Sequence, residues 1–269
     1  MIQTEKVSKT ITMHKWTAFP HPGRYAFDAA SLEKNWARLH QGGCEPLPGD
    51  PRVLRAWVLF HNGEFEAAAQ AGLDAGGDGV TVANKASCIY ATYLERGEKA
   101  RLELFLQVAA RSGAQQAAEP KNPDAWYWQA YALARYSHGI SVAKALAQGV
   151  GRKVKAALER TLALSPRHAD AHTALAAFHA EVIDKVGSLI GSMTYDVKKD
   201  TALAHFREAL RLNPESAIAM TGYASGLVML EGETRMEEAT RLYQQAASCQ
   251  PADAMEMLAV EMARLELHD

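Results

Sequence analysis

Thr201-Ala202-Leu203-Ala204-His205-Phe206-Arg207-Glu208-Ala209-Leu210-Arg211-Leu212-Asn213-Pro214 is the stretch on which the fold turns. Ala202, Phe206 and Ala209 lie four and then three residues apart, so they share one face of a helix. Pro214 cannot continue that helix. Two small residues around one aromatic leave room for a second helix to pack closely. The same spacing returns at Ala239, Tyr243, Ala246 and Pro251. A motif repeated at this interval predicts helical hairpins stacked side by side, because one hairpin cannot bury its apolar face alone.

Upstream of each motif lies a matching first helix. His172, Leu175, Ala176 and His179 form one such set, and Met220, Tyr223, Ala224 and Leu227 form the next. Asn122-Pro123-Asp124-Ala125-Trp126 opens an earlier unit whose second helix is Val154 to Leu164. This pattern resembles the tetratricopeptide (TPR) repeat, an antiparallel helix pair of about 34 residues. Two of the units are expanded: Trp126 to Val154 spans 28 positions and His172 to Ala202 spans 30, against about 16 in an unexpanded repeat. The resemblance implies an all-α, TPR-like α-solenoid with two elongated insertions. Residues 139–251 are also similar to the TPR domain of the regulator of microtubule dynamics family. The shared words are Gly139-Ile140-Ser141, Lys153-Val154-Lys155, His172, Glu181-Val182 and Thr201 to Phe206. That family has lengthened loops and is linked to microtubules and to lipid binding at organelle contacts.

The rest of the chain reads as extensions of the stack. Residues 1–49 form an arm carrying Trp16, Phe19, Tyr25 and Phe27, followed by a capping helix that Asp28 starts. Residues 50–121 hold degenerate helical repeats, opened by Asp50-Pro51. Residues 122–251 hold three repeats with insertions. Residues 252–269 form a capping helix on which Met255, Leu258, Met262 and Leu265 share a side. All four parts belong to one continuous domain.

Composition narrows the function classes. The chain has 269 residues, 48 % hydrophobic, with 19 Gly and 10 Pro, which supports an extended core. A net charge of −2 gives no reason to expect nucleic acid or an anionic membrane. Cys44, Cys88 and Cys249 are odd in number and far apart, so a disulfide framework is not expected and a cytoplasmic setting is. Neither a leader-like apolar run nor a membrane-spanning stretch is visible.

No enzyme chemistry survives inspection. His168, His172 and His179 share a helical face, but a metal site needs three or four ligands, and the imidazoles more simply replace packing aromatics. Gly149-Val150-Gly151-Arg152-Lys153 lacks the spacing of a phosphate loop and reads as a joint. Ser141 to Lys144 matches a Ser-x-x-Lys pair without its companion motifs. No metal and no cofactor are expected.

What remains is binding by a preformed surface. In TPR proteins the exposed positions of each first helix line a concave groove. By the resemblance these are Tyr127, Tyr131 and Arg135, then Thr173 and Ala177, then Thr221 and Ser225. Trp126 is expected to point into the core and to turn both tyrosines toward the groove. The Lys, Asn and Arg set that clamps C-terminal carboxylates in co-chaperone members is absent. The groove is therefore expected to take a neutral or apolar segment of a protein or peptide partner, with Arg135 meeting one acidic group. The alternatives are an apolar small molecule or lipid held between groove and inserts, or a groove filled by an insert or the N-terminal arm. The inserts at 140–153 and 185–200 are expected to be largely ordered and in mutual contact, Val142, Ala143, Leu146 and Val150 against Val186, Leu189, Ile190 and Met193, because exposed apolar area costs about 25 cal/mol per Å².

Overall fold

The computed structural model describes residues 15–267, and among them it contains fourteen α-helices and no strand. Helix α1 is Ala29–Leu39, α2 Pro51–His61, α3 Phe65–Ala75, α4 Gly79–Tyr93 and α5 Glu98–Ala118. The expanded repeats follow: α6 Pro123–His138, α7 Val142–Ala147, α8 Val150–Leu164, α9 Ala169–Val186, α10 Ser188–Tyr195 and α11 Lys199–Leu212. Helices α12 Ala217–Glu231, α13 Met236–Ser248 and α14 Ala254–Glu266 complete the set, with a 3₁₀ turn at Gly232–Arg235 before α13.

Local chemistry explains half of the helix starts. The Asp28 carboxylate accepts from Ser31 N–H, and the Ser31 hydroxyl accepts from Asp28 N–H, a reciprocal capping box. Asp50 and Asn122 each cap a helix that opens with proline. Ser141, Ser216 and Asp253 cap α7, α12 and α14.

The helices pack as hairpins: α2 on α3, α4 on α5, α6 on α8, α9 on α11 and α12 on α13. The spacing in the quoted stretch is met in three dimensions. Ala202, Phe206 and Ala209 are fully buried, and Phe206 stacks on Tyr223 of the next hairpin, centroids 5.1 Å apart. Gly226 is needed at that contact, since a Cβ there would collide with the Phe206 ring. Helix α4 is buried nearly all round. Its polar residues are zipped to α5: Arg111 Nε donates to Asn84 Oδ1 at 2.6 Å, and Gln115 Nε2 donates to Thr81 Oγ1 at 3.0 Å.

The stack does not stay open. The Tyr25 hydroxyl donates to the Pro251 carbonyl at 3.1 Å, His21 meets Glu261 at 2.5 Å, and Arg38 clamps Glu256 at 2.6 Å. The segment before α1 and α1 itself thus bridge the first hairpins to the last ones. The loop enters at the N-terminal ends of the first helices: Asp170 N–H donates to Gly42 O at 3.1 Å, and Gln41 Nε2 donates to Leu212 O at 2.9 Å.

The inserts differ from expectation. Both contain helices, α7 packing on α8 and α10 on α9 and α8. Val142, Leu146, Leu189, Ile190 and Met193 are nevertheless 53–82 % exposed. Val150, Gly191 and Val197 are buried, and Ile140 and Ala145 pack half-buried against the core. Short helices of six and eight residues cannot bury more than one side on the hairpins beneath them.

Candidate partner-binding surface

The concave face is divided by the loop after α1. On the side the loop occupies, a line of buried charged and polar groups runs from α4 to α14. Lys85 Nζ donates to Glu45 Oε1 at 2.7 Å, and Glu45 Oε2 lies 3.1 Å from His40 Nδ1. His40 Nε2 lies 3.2 Å from His61 Nε2, and His61 Nδ1 lies 2.6 Å from Asp253 Oδ2. All five side chains are at most 3 % exposed. His40 Nδ1 faces Glu45 and His61 Nδ1 faces Asp253, so each ring can donate to its own carboxylate, and one further ring proton between the two Nε2 atoms completes the line.

The surroundings set the charge states. Burial drives the His40 imidazole down to about 4, against the pull of Glu45. Burial alone would raise the Glu45 carboxyl, but the Lys85 ammonium and His40 outweigh it and hold it well below its usual range. Burial alone would lower Lys85, and Glu45 reverses that. The ammonium also lies 5.2 Å from the Trp57 ring centroid and 5.5 Å from that of Phe60, within cation–π range. Beside this line, the cavity between α1 and α12–α14 has a mixed lining, with Arg38, Lys85, Asp170 and Glu256 facing Leu39, Ile218, Met255 and Val260.

Tyr131 and Arg135 stand one turn apart on α6, the guanidinium carbon 5.3 Å from the tyrosine ring centroid. The Arg135 side chain is exposed and makes no ion pair among the described residues. Thr92 Oγ1 bonds the Tyr131 hydroxyl at 2.9 Å and fixes the ring. The Tyr131, Tyr93 and Glu181 groups favour the Arg135 charge, and its field reaches Glu266 of α14. Tyr93 bridges two apolar clusters, one built on α1–α4 and one on α12–α14, and forms the wall beside them.

The other residues expected to line the groove are placed differently. Tyr127 is 5 % exposed, its ring 4.6 Å from His168 and 4.9 Å from Trp128; it is packing, not a free anchor. The register expected for α6 is the reason: Trp128 is buried, while Trp126 sits half-exposed at the helix start, donating to Pro120 O. Thr173 is 8 % exposed and lies under Gly222 of α12. Ala177 packs beside the Phe206 cluster. Thr221 bonds its own helix, and Ser225 pairs with the Tyr243 hydroxyl at 2.7 Å. Of the seven, Arg135 alone is exposed, while Tyr131, Ala177, Thr221 and Ser225 are half-buried.

The weighed chemical motifs have plain structural places. His172 Nδ1 lies 2.7 Å from His205 Nδ1 and its other nitrogen faces Pro166 O, while His179 Nδ1 accepts from Lys198 N–H. Ser141 Oγ accepts from Lys144 N–H as a cap. Among the described residues no cluster of three metal-ligating side chains occurs, and no helix is long and apolar enough to cross a membrane. The buried line escaped sequence reading, although Lys85 is the one charge in the otherwise uncharged helix α4.

No family model matches the sequence, and no curated protein matches it. Among solved structures, a thermophilic TPR protein from Thermus thermophilus superposes with a TM-score of 0.55 at 16 % identity, over 80 % of this chain and 98 % of that one. The fold is a TPR-like α-solenoid.

Proposed function

We propose that this chain is a non-enzymatic scaffold that holds a segment of a partner protein on its concave face around Tyr131 and Arg135. The reading rests on one observation: Arg135 is exposed, unpaired among the described residues and stacked on Tyr131. A guanidinium held in a concavity beside aromatic rings recognises a carboxylate, and the rings accept apolar neighbours of that carboxylate. The partner segment is therefore mainly apolar and bears one acidic group. The TPR-like fold supports protein partners in general. The scattered free thiols of Cys44, Cys88 and Cys249 favour a reducing, cytoplasmic setting.

Affinity capture from lysate with quantitative mass spectrometry tests this. Tyr131→Ala with Arg135→Ala is expected to remove the captured partners while leaving the thermal midpoint within a few degrees of the parent. Undiminished capture by the double variant rejects the site. An apolar molecule retained by the parent in native mass spectrometry favours the carrier alternative.

A further inference from the structure

The two inserts and the 3₁₀ turn occupy equivalent places, each joining the first and second helix of its hairpin. They therefore lie in order along one edge of the stack. Links between neighbours confirm the alignment: His138, at the end of α6, meets Glu181 of α9 at 2.9 Å, and Lys199 of α11 meets Glu231 at the end of α12 at 2.6 Å. The Tyr195 ring of α10 lies against Gly151 of α8.

This edge has an apolar middle and ends of opposite charge. In the middle, Leu189, Ile190 and Met193 of α10 are 74 %, 58 % and 82 % exposed. They share the face opposite Gly191, which is pressed on Val182 and Val197. At one end, residues 139–158 hold Lys144, Arg152, Lys153 and Lys155 and no acidic residue. Lys155 is paired with Glu159; the other three are exposed and without an ion pair among the described residues. At the other end stand Met236, 44 % exposed, and Glu233, exposed and unpaired among the described residues, beside three carboxylates that are paired: Glu231 with Lys199, Glu237 with Arg241 and Glu238 with Arg235.

We propose that this edge pairs with the same edge of a second copy of the chain, related by a two-fold axis through α10. An antiparallel copy presents the reversed order of charge. Leu189, Ile190 and Met193 then meet their own counterparts at the axis, while Lys144, Arg152 and Lys153 face Glu233 and Glu237 of the other copy. An anionic bilayer, by contrast, would be repelled at the acidic end. This pairing leaves Tyr131 and Arg135 free, so it stands independently of the partner site.

Sedimentation velocity on the full chain, at low and high salt, tests the pairing. The parent is expected to dimerise with a Kd of about 10 µM or tighter, weakened by salt. Met193→Glu places like charges together at the axis and is expected to raise Kd at least about tenfold. Lys144→Glu with Arg152→Glu and Lys153→Glu is expected to do the same, and adding Glu233→Lys to that triple variant to restore part of the dimer. All changes are on exposed side chains, and circular dichroism should stay that of the parent. A parent that stays monomeric up to about 100 µM overturns the proposal, whether or not it floats with anionic liposomes. A dimer indifferent to both Met193→Glu and the charge reversal overturns it as well.

Discussion

The two halves of the concave face solve the same problem in opposite ways. Both carry charge where a helical stack bends inward. Under the loop after α1, Lys85, Glu45, His40, His61 and Asp253 are withdrawn from water and pair with one another. Around Tyr131, Arg135 keeps its charge in solvent and has no acidic partner among the described residues. Charges closed in this way contribute architecture, because a buried ion left unpaired is costly. A charge left open at little structural cost is available to a ligand. The lesson is to look for binding where a groove residue is unsatisfied and wet, not merely where it is concave.

The comparison breaks most visibly at Lys85. Lys85→Ala leaves Glu45 buried without its counterion and should cost about 3–5 kcal/mol in chemical denaturation; Arg135→Ala should cost under about 0.5 kcal/mol. Equal losses would erase the distinction between the halves. Gly42→Ala comes next. A Cβ there would stand 2.6 Å from the Asp170 carboxylate, so that side chain or the loop must move, at about 1–3 kcal/mol. The stability measured by denaturation should fall without loss of helix.

Acid sharpens the contrast further. His40 is held neutral in the fold down to about 4, whereas in the unfolded chain it protonates near pH 6.5. Stability is therefore complete above pH 6.5 and declines between there and about pH 4, by at most about 1.4 kcal/mol per pH unit for this group. His205, also lowered to about 4, has the same sign but is partly solvated and counts for less. Below the ordinary carboxylate range Glu45 adds to the loss, since its depressed carboxyl stabilises the fold only while ionised. Thermal midpoints across this range should fall for the parent and less steeply for His40→Gln; parallel curves would place the acid sensitivity elsewhere.

How much could be read in advance followed from how local each signal is. Ala202, Phe206 and Ala209 announce a hairpin because their partners lie within one repeat, and Asp28, Asp50 and Asn122 announce helix starts from neighbouring residues. Tyr131 and Arg135 share one face of α6 because their spacing is helical. The register around Trp126 was misread because α6 is apolar on several sides, buried at Tyr127, Trp128 and Ala132 alike. The bridge between the first and last hairpins was weighed only as an arm filling the groove. Its contacts, such as His61 with Asp253, join residues 192 apart in sequence, where no periodicity reports on pairing. The exposed Leu189 and Met193 contradict the rule that apolar inserts pack, as expected where an edge awaits a second molecule.

A solenoid ordinarily behaves as a row of nearest neighbours, and repeats can be trimmed from it like links from a chain. The bond between His61 and Asp253 suspends that freedom here. The second helix of the row is completed by Asp253, the cap of the fourteenth, so cutting the chain before Asp253 strips a partner from a histidine buried twelve helices away. Ends that would fray independently in an open stack are obliged to melt together. A nascent chain must wait for Asp253 before its first hairpin has its final set of hydrogen bonds. Long-range closure of this kind slows folding, and in exchange makes unfolding all-or-none across the whole row.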